Sequence, residues 1–357
     1  MAHLFVDIST HGLGHLAQAA PVLNALHARR PDVRLTVRSG VSLERLEARL
    51  RVPFTHIAGQ SYFGFAMLDA VRIDAPATAR RYREQHADWP GRVRSEADAL
   101  RRLRPDLVLS DVAYLPLAGA AEAGIAALSM CSLNWADLFA HVFGHETWAP
   151  RIHAEILAAY RSARRFLRLT PAMPMPDLPN ARAVAPVAAL GRDCRQELRT
   201  RSGAKAGERL VLIAFGGFDK ELNAGHWPVT AGVRWLVPES WSIARADMVA
   251  LESLRLPFSD LLCSVDAVLT KPGYGTFTEA ACNGTAVLFV RRDDWPEQDC
   301  LIDWLEKNAR CAEVNASALM AGQLQPALAQ LWHKDRPDRP HPGGAAEAAA
   351  IIAAYLP

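Results

Sequence analysis

The sequence predicts an α/β chain built as two parallel-sheet domains, and three observations carry that prediction. Strand-like apolar runs alternate with helix-like segments along most of the chain, the pattern of parallel sheets with helices on both faces. Two well-separated stretches, near residues 4–23 and 210–218, each begin with a buried-type strand that empties into a glycine loop. The length, 357 residues, exceeds what one hydrophobic core usually serves, which makes two domains the expectation.

Taken in order, Leu4 to Ile8 reads as a buried strand, Ser9 to His15 as a loop, and Leu16, Ala19, Ala20 and Leu23 stand at helical spacing. Val33 to Val37 alternates as a strand, and Val41 to Leu50 returns as a helix. The stretch Tyr62 to Trp89 is less regular and reads either as an acceptor-facing insertion or as a loop-rich cover over the sheet. Asp106 to Asp111 is a short strand ending in polar residues, followed by a helix to Ala123 and a further strand candidate at Gly124 to Leu128. Ligands gather beyond the C-terminal ends of parallel strands, so His15 and Asp111 are both placed on that edge.

Four prolines between Pro171 and Pro179 stop helix formation and stiffen the chain. They place a linker at 171–183, between a first domain at 1–170 and a second at 184–336. In the second, Leu210 to Phe215 empties into Gly216-Gly217-Phe218, and Ala267 to Thr270 leads into Lys271-Pro272-Gly273-Tyr274-Gly275-Thr276 and a helix. Glycines admit close approach of an anion, and a helix start offers unpaired N–H groups and a favourable dipole. That makes Gly216, Gly217, Gly273, Gly275 and Thr276 candidates for a diphosphate. Glu279, one turn beyond Gly275, is placed to reach a ribose diol. The plainer alternative is a tight turn whose glycines serve geometry only. A break at 335–344 precedes a short helix at Ala345 to Leu356, within a C-terminal segment 337–357.

A formal net charge of +2 gives no general electrostatic case for nucleic acid, and arginines such as those between Arg92 and Arg104 read as a solvated helix face. No run reaches the roughly 20 apolar residues of a membrane span, and no signal peptide is evident, so a soluble, cytoplasmic protein is expected. Six cysteines show no paired spacing and read as reduced thiols. His141 and His145 are four apart but lack a third ligand of recognisable spacing, so no metal site is expected.

Several of these motifs together resemble the GT-B class of nucleotide-sugar glycosyltransferases, and more closely the glycosyltransferase-like N-terminal region of plant L-arabinokinases. The matching residues are His11-Gly12-Leu13-Gly14-His15, Ser110-Asp111-Val112, Asn134-Trp135, Phe215-Gly216-Gly217, Gly273-Tyr274-Gly275-Thr276 with Glu279, and Val290-Arg291-Arg292-Asp293 with Glu297. The resemblance implies two Rossmann-like domains facing each other across a cleft, with the last helix crossing back to the first. It implies transfer of a hexosyl or pentosyl group from a nucleoside-diphosphate sugar, UDP by default, to an unidentified acceptor. The transfer would be metal-independent and inverting, with the nucleotide-sugar as co-substrate and no other cofactor. A lipid acceptor would bring peripheral membrane contact.

On this resemblance His15 is the candidate base and Asp111 its orienting partner. A helix start is a poor place for a cation, which suits a residue that must accept a proton. His11 competes for the role, but the final histidine of the loop is the one shared with the related lipid II glucosaminyltransferase pattern. Glu297 and Gln298 stand where related motifs place an acid or amide against sugar hydroxyls, and Arg291 where a phosphate or anionic acceptor would be neutralised. Both also read as ordinary features, a helix first turn and a surface pair. Arabinokinases carry a separate kinase domain with a glycine- and serine-rich ATP loop; no such loop occurs here, so kinase activity does not carry over. A nucleotide-sugar 2-epimerase and a non-catalytic sugar- or nucleotide-sugar-binding module remain as alternatives.

Overall fold

Apolar runs of four to six residues become the inner strands of two parallel sheets in the computed structural model, which describes residues 1–10, 13–62, 64–68, 72–215, 222–292 and 294–357. The first sheet contains β1 (His3–Ile8), β2 (Arg34–Ser39), β3 (Thr55–Ala58), β4 (Leu107–Asp111), β5 (Ala126–Cys131), β6 (Arg165–Leu169) and β7 (Ala181–Val184). Between them run α1 (Gly14–Arg29), α2 (Leu43–Arg49), α3 (Ala75–Gln85), α4 (Trp89–Leu103), α5 (Leu115–Ala123), α6 (Trp135–Phe143) and α7 (Ala149–Ser162). The spatial order is β3-β2-β1-β4-β5-β6-β7. Leu4, Phe5 and Val6 of β1 and Leu107, Val108 and Leu109 of β4 are wholly buried, as strands covered on both faces must be.

The second sheet contains β8 (Arg209–Ala214), β9 (Val233–Val237), β10 (Met248–Ala250), β11 (Ala267–Thr270), β12 (Ala286–Phe289) and β13 (Cys311–Glu313), in the order β10-β9-β8-β11-β12-β13. Its helices are α8 (Arg195–Arg201), α9 (Phe258–Ser264), α10 (Tyr274–Asn283), α11 (Glu297–Asn308), α12 (Ala316–Met320) and α13 (Gln325–His333). Val211, Ile213, Trp235, Leu269, Leu288 and Leu331 form its core, each at 1% exposure or less. Burying one such aliphatic side chain contributes about 1.5–3 kcal/mol.

The chain divides into two compact units: Met1–Leu68, Ile73–Val187 and Pro342–Pro357 in the first, Ala188–His341 with Arg72 in the second. The proline-rich stretch read as a linker folds into the first unit instead. Met173 N–H donates to Ser132 O at 2.9 Å, Arg168 Nη1 donates to Pro174 O at 2.7 Å, and β7 pairs with β6. Prolines bar a helix but not an extended edge, so the chain leaves the first unit only after Val187. It returns at Pro342 with α14 (Gly344–Ala354), which packs on α1. Gly344 makes that docking possible, since a Cβ there would lie 1.9 Å from Ala185 O. Gly344 N–H donates to Pro186 O at 3.0 Å, and Glu347 Oε2 accepts from Ala185 N–H at 3.0 Å.

The irregular stretch after Tyr62 holds α3 and an aromatic cover. Tyr62, Phe65 and Tyr82 are buried and pack with Trp135, Phe139 and Phe143. No helix among the described residues is long and apolar enough to cross a membrane.

Candidate functional site

Both sheets reverse their strand order once beside the strand that starts them, between β1 and β4 and between β8 and β11. A reversal opens a crevice beyond the strand C-termini, because the two connections leave in opposite directions. In the first unit Ile8 is in register with Asp111, and α1 starts six residues after β1 ends. That geometry brings His15 onto Asp111: Nδ1 lies 2.9 Å from Oδ1, with the residues 4% and 0% exposed. With the carboxylate ionised, Nδ1–H donates, which leaves the lone pair on Nε2. Among the described residues Nε2 makes no hydrogen bond. Burial raises the Asp111 pKa; the hydrogen bond and charge of His15 oppose that rise, and the nearby Asp7 adds to it.

Cys131, at the end of β5, places its Sγ 3.7 Å from His15 Nδ1. One donor atom each from His15, Asp111 and Cys131 fall within 4.8 Å of one another, the donor chemistry of a three-ligand zinc site. In the present arrangement the imidazole and carboxylate are bonded to each other. Among the described residues Asp111 Oδ2 has no hydrogen-bond partner, and the Cys131 thiol weakly favours the ionised carboxyl group.

Two further sets of polar residues lie near the dyad. Gln18, one turn after His15, donates Nε2–H to Ser132 Oγ at 3.2 Å and accepts Ser132 N–H at 3.1 Å, tying α1 to the end of β5. Asp7 accepts from Arg38 Nε at 2.5 Å and from Ser61 Oγ at 3.0 Å, while the other guanidinium nitrogens reach Glu96 at 2.6 and 3.0 Å. Burial pushes the Asp7 pKa up and Arg38 holds it back; Arg38, against its own desolvation, is kept above its ordinary value by Asp7 and Glu96. Sequence reasoning missed Cys131, Gln18, Asp7 and Arg38. The strand candidate ending at Leu128 continues for three residues, and that extension carries Cys131 to the edge where Asp111 sits.

In the second unit Thr270 Oγ1 donates to Ala214 O at 2.7 Å, joining the ends of β11 and β8. The turn Lys271–Gly273 then opens α10, whose N-cap, Gly273, supplies no side-chain hydrogen bond. Gly273 has φ −167°, extended backbone open to any residue, and a Cβ there would meet nothing nearer than Lys271 O at 3.9 Å. A Cβ on Gly14, at the start of α1, would meet nothing within 4 Å. Among the described residues, packing therefore demands glycine at neither Gly14 nor Gly273. Gly275 is buried in the first turn of α10, Thr276 is half-buried, and Glu279 is 2% exposed one turn on. His11, Gly216 and Gly217 lie outside the described residues.

The residues after β12 are occupied locally. Gln298 Oε1 accepts Arg292 N–H and its Nε2–H donates to Arg292 O, both at 2.9 Å, while Glu297 Oε2 accepts Trp295 Nε1–H at 3.1 Å. Arg292 lies over the Trp295 ring, 3.8 Å from its centroid. Arg291 pairs with Asp299 at 2.7 Å and Glu313 at 3.1 Å, so its charge is already matched within the unit. His141 and His145 are exposed, the first in α6 and the second beyond its end. All six cysteines are free.

Solved glycosyltransferase structures share this arrangement over the whole chain. The glycotransferase of kitacinnamycin superposes with TM-score 0.65 at 16% identity, covering 99% of each chain. The calicheamicin glycosyltransferase gives 0.66 at 15%, covering 99% of this chain and 98% of its own. The fold is GT-B. A Polygonum tinctorium UDP-glucosyltransferase in complex with 3,4-dichloroaniline has the same GT-B arrangement at TM-score 0.58 and 14% identity, over 99% of this chain and 98% of its own. In sequence, the chain is similar to L-arabinokinase of Arabidopsis thaliana, 26% identical over 337 residues and 90% of this chain. It spans 31% of that protein's length. No protein-family model matches the chain.

Proposed function

We propose that the protein transfers a sugar from a nucleoside-diphosphate sugar to an acceptor hydroxyl. The observation that carries this reading is the buried His15–Asp111 dyad at the strand reversal of a GT-B first unit, with Nε2 left to take a proton. The acceptor proton goes to Nε2, and Asp111 steadies the imidazolium that forms. The acceptor oxygen bonds to the anomeric carbon as the bond from that carbon to the β-phosphate oxygen breaks, and the nucleoside diphosphate departs with the electron pair. Backbone N–H groups and the dipole at the start of α10 stabilise its charge, with Gly273, Gly275 and Thr276 at the phosphates and Glu279 at the ribose. Displacement from the opposite face inverts the anomeric centre. Glu297 and Gln298 shape the turn beside this loop rather than contributing charge, and no phosphate contact is assigned to Arg291.

UDP is the first nucleotide to test and TDP the second, because a UDP-glucosyltransferase and a structure with DTDP share the fold. The similarity to part of an arabinokinase supports a second reading, a non-catalytic nucleotide-sugar-binding module. A 2-epimerase would need further acid and base groups at the donor sugar. A panel of UDP- and TDP-sugars, assayed for slow hydrolysis, epimerisation and transfer to a broad acceptor set, separates the three. Transfer or hydrolysis of a donor is expected; tight donor binding with no turnover across the panel would leave the binding module in its place.

A further inference from the structure

At the edge of the second sheet opposite the α10 start, where β11 and β13 begin, a cavity of about 90 Å³ is lined by Asp193, Arg195, Asp266, Arg310, Arg336 and Arg339, among others. That is room for a few waters or one tetrahedral oxyanion. No step of the proposed transfer uses it.

Its charges do not balance. Asp266 pairs with Arg195 at 3.3 Å, lies 3.7 Å from Arg209, and accepts Leu210 N–H at 2.8 Å, so this carboxylate is already committed. Asp193 accepts the Arg195 N–H at 2.9 Å. Arg310, Arg336 and Arg339 make no ion pair and no side-chain hydrogen bond among the described residues. Arg310 is half-buried, and its pKa is lowered by desolvation first, then by the charges of Arg336 and Arg209, with the Asp266 carboxylate opposing the fall only in part. Crowded like charges of this kind are held at a cost that an anion between them would remove. Arg339 is seated by Gly284, the αL residue that ends α10 at φ +75°, where a Cβ would lie 2.2 Å from Arg339 Nε. A side chain at 284 would push the guanidinium off the cavity wall.

We propose that this cavity is a binding site for a phosphate group, distinct from the donor loop and held by Arg310, Arg336 and Arg339. Guanidinium forks suit tetrahedral oxyanions, giving short charge-assisted hydrogen bonds to several oxygens at once. The phosphate is either free inorganic phosphate or the phosphoryl end of a small hydroxylated ester, for which Asp193 at the rim is the hydroxyl acceptor. The site does not depend on the transfer reading.

Calorimetry on the full chain at fixed ionic strength, titrating inorganic phosphate, a hexose phosphate and UDP, tests this. Saturable one-to-one phosphate binding is expected, weakened about tenfold by Arg310→Gln and by Arg336→Gln, the loss of one charge-assisted hydrogen bond each, with UDP affinity unchanged in both. Arg336 is exposed, so its substitution leaves folding out of account. A hexose phosphate that binds more tightly than inorganic phosphate, with the gain removed by Asp193→Asn, identifies an ester; equal affinities identify free phosphate. No saturable binding of either, or binding that UDP displaces and the arginine substitutions leave untouched, overturns the proposal.

Discussion

The two sheets of this protein share one strand order around their reversal and set very different groups there. Beyond β1 and β4 the chain collects side chains that titrate: His15, Asp111, Cys131 and, one register step back, Asp7, all buried. Beyond β8 and β11 it offers a glycine N-cap, a half-buried threonine and the backbone amides that open α10. Topology fixes where a crevice opens; the residues decide what chemistry it offers. Backbone amides keep their polarity at every pH, whereas burial in the first unit raises the pKa of both Asp111 and Asp7.

The largest break in that comparison is His15→Ala. Transfer is expected to fall about 10² to 10⁴-fold, the worth of a general base, with donor-nucleotide affinity nearly unchanged. Steady-state rates alongside nucleotide titration check it, and His11→Ala, which is expected to do less harm, serves as the control. A collapsed rate in His11→Ala with unimpaired transfer in His15→Ala would exchange the two roles.

Gly273→Val probes the other side. The extended φ and open surroundings let the fold accept a side chain, at a cap cost of about 1 kcal/mol or less. Nucleotide affinity should drop by about 1.5–3 kcal/mol as a phosphate contact is lost. Unchanged UDP, TDP and GDP affinities in calorimetry would remove the donor from α10. Glu279→Gln sharpens the assignment within that unit: ribonucleotide binding weakens by about 1.5 kcal/mol, and a 2′-deoxyribose donor loses much less. Equal losses would make Glu279 a packing residue.

The smallest expected effect is thermodynamic. The folded-state pKa of Asp111 is raised, so the native chain holds this proton more tightly than the unfolded chain does. Its contribution to stability is therefore full below the unfolded pKa and is lost as pH rises through the folded one, by about 1.4 kcal/mol per pKa unit. Asp111→Asn cannot titrate, and should gain on the unmutated protein as pH rises from 4 to 7 in urea unfolding. A difference that stays flat or runs the other way would show that His15 outweighs burial.

Much of this was legible before any coordinates. Glycine loops mark the helix starts because a change from strand to helix period brackets them, and the polar residues ending Asp106 to Asp111 mark a strand terminus on the functional edge. β6 and β7 were not, since Pro171, Pro174, Pro176 and Pro179 read as breakers while an edge strand tolerates such neighbours. The Asp7–Arg38 pair needs a register: the two are opposite each other on β1 and β2, 31 residues apart in sequence. Arg291 illustrates the reverse case. An arginine in this position suggests a phosphate contact from sequence alone, and the sequence gives no sign of its ion pairs with the carboxylates at 299 and 313.

The docking of α14 bears on how the protein is made. Every strand of the first sheet has been synthesised by Val184, yet the face of α1 that α14 covers stays bare while the whole of Ala188 to His341 is translated. A ribosome adding roughly 5–20 residues per second leaves that surface open for many seconds, an opportunity for chaperones and for mispairing. A nonsense mutation shortly before Gly343 would then injure the beginning of the protein rather than the region it truncates.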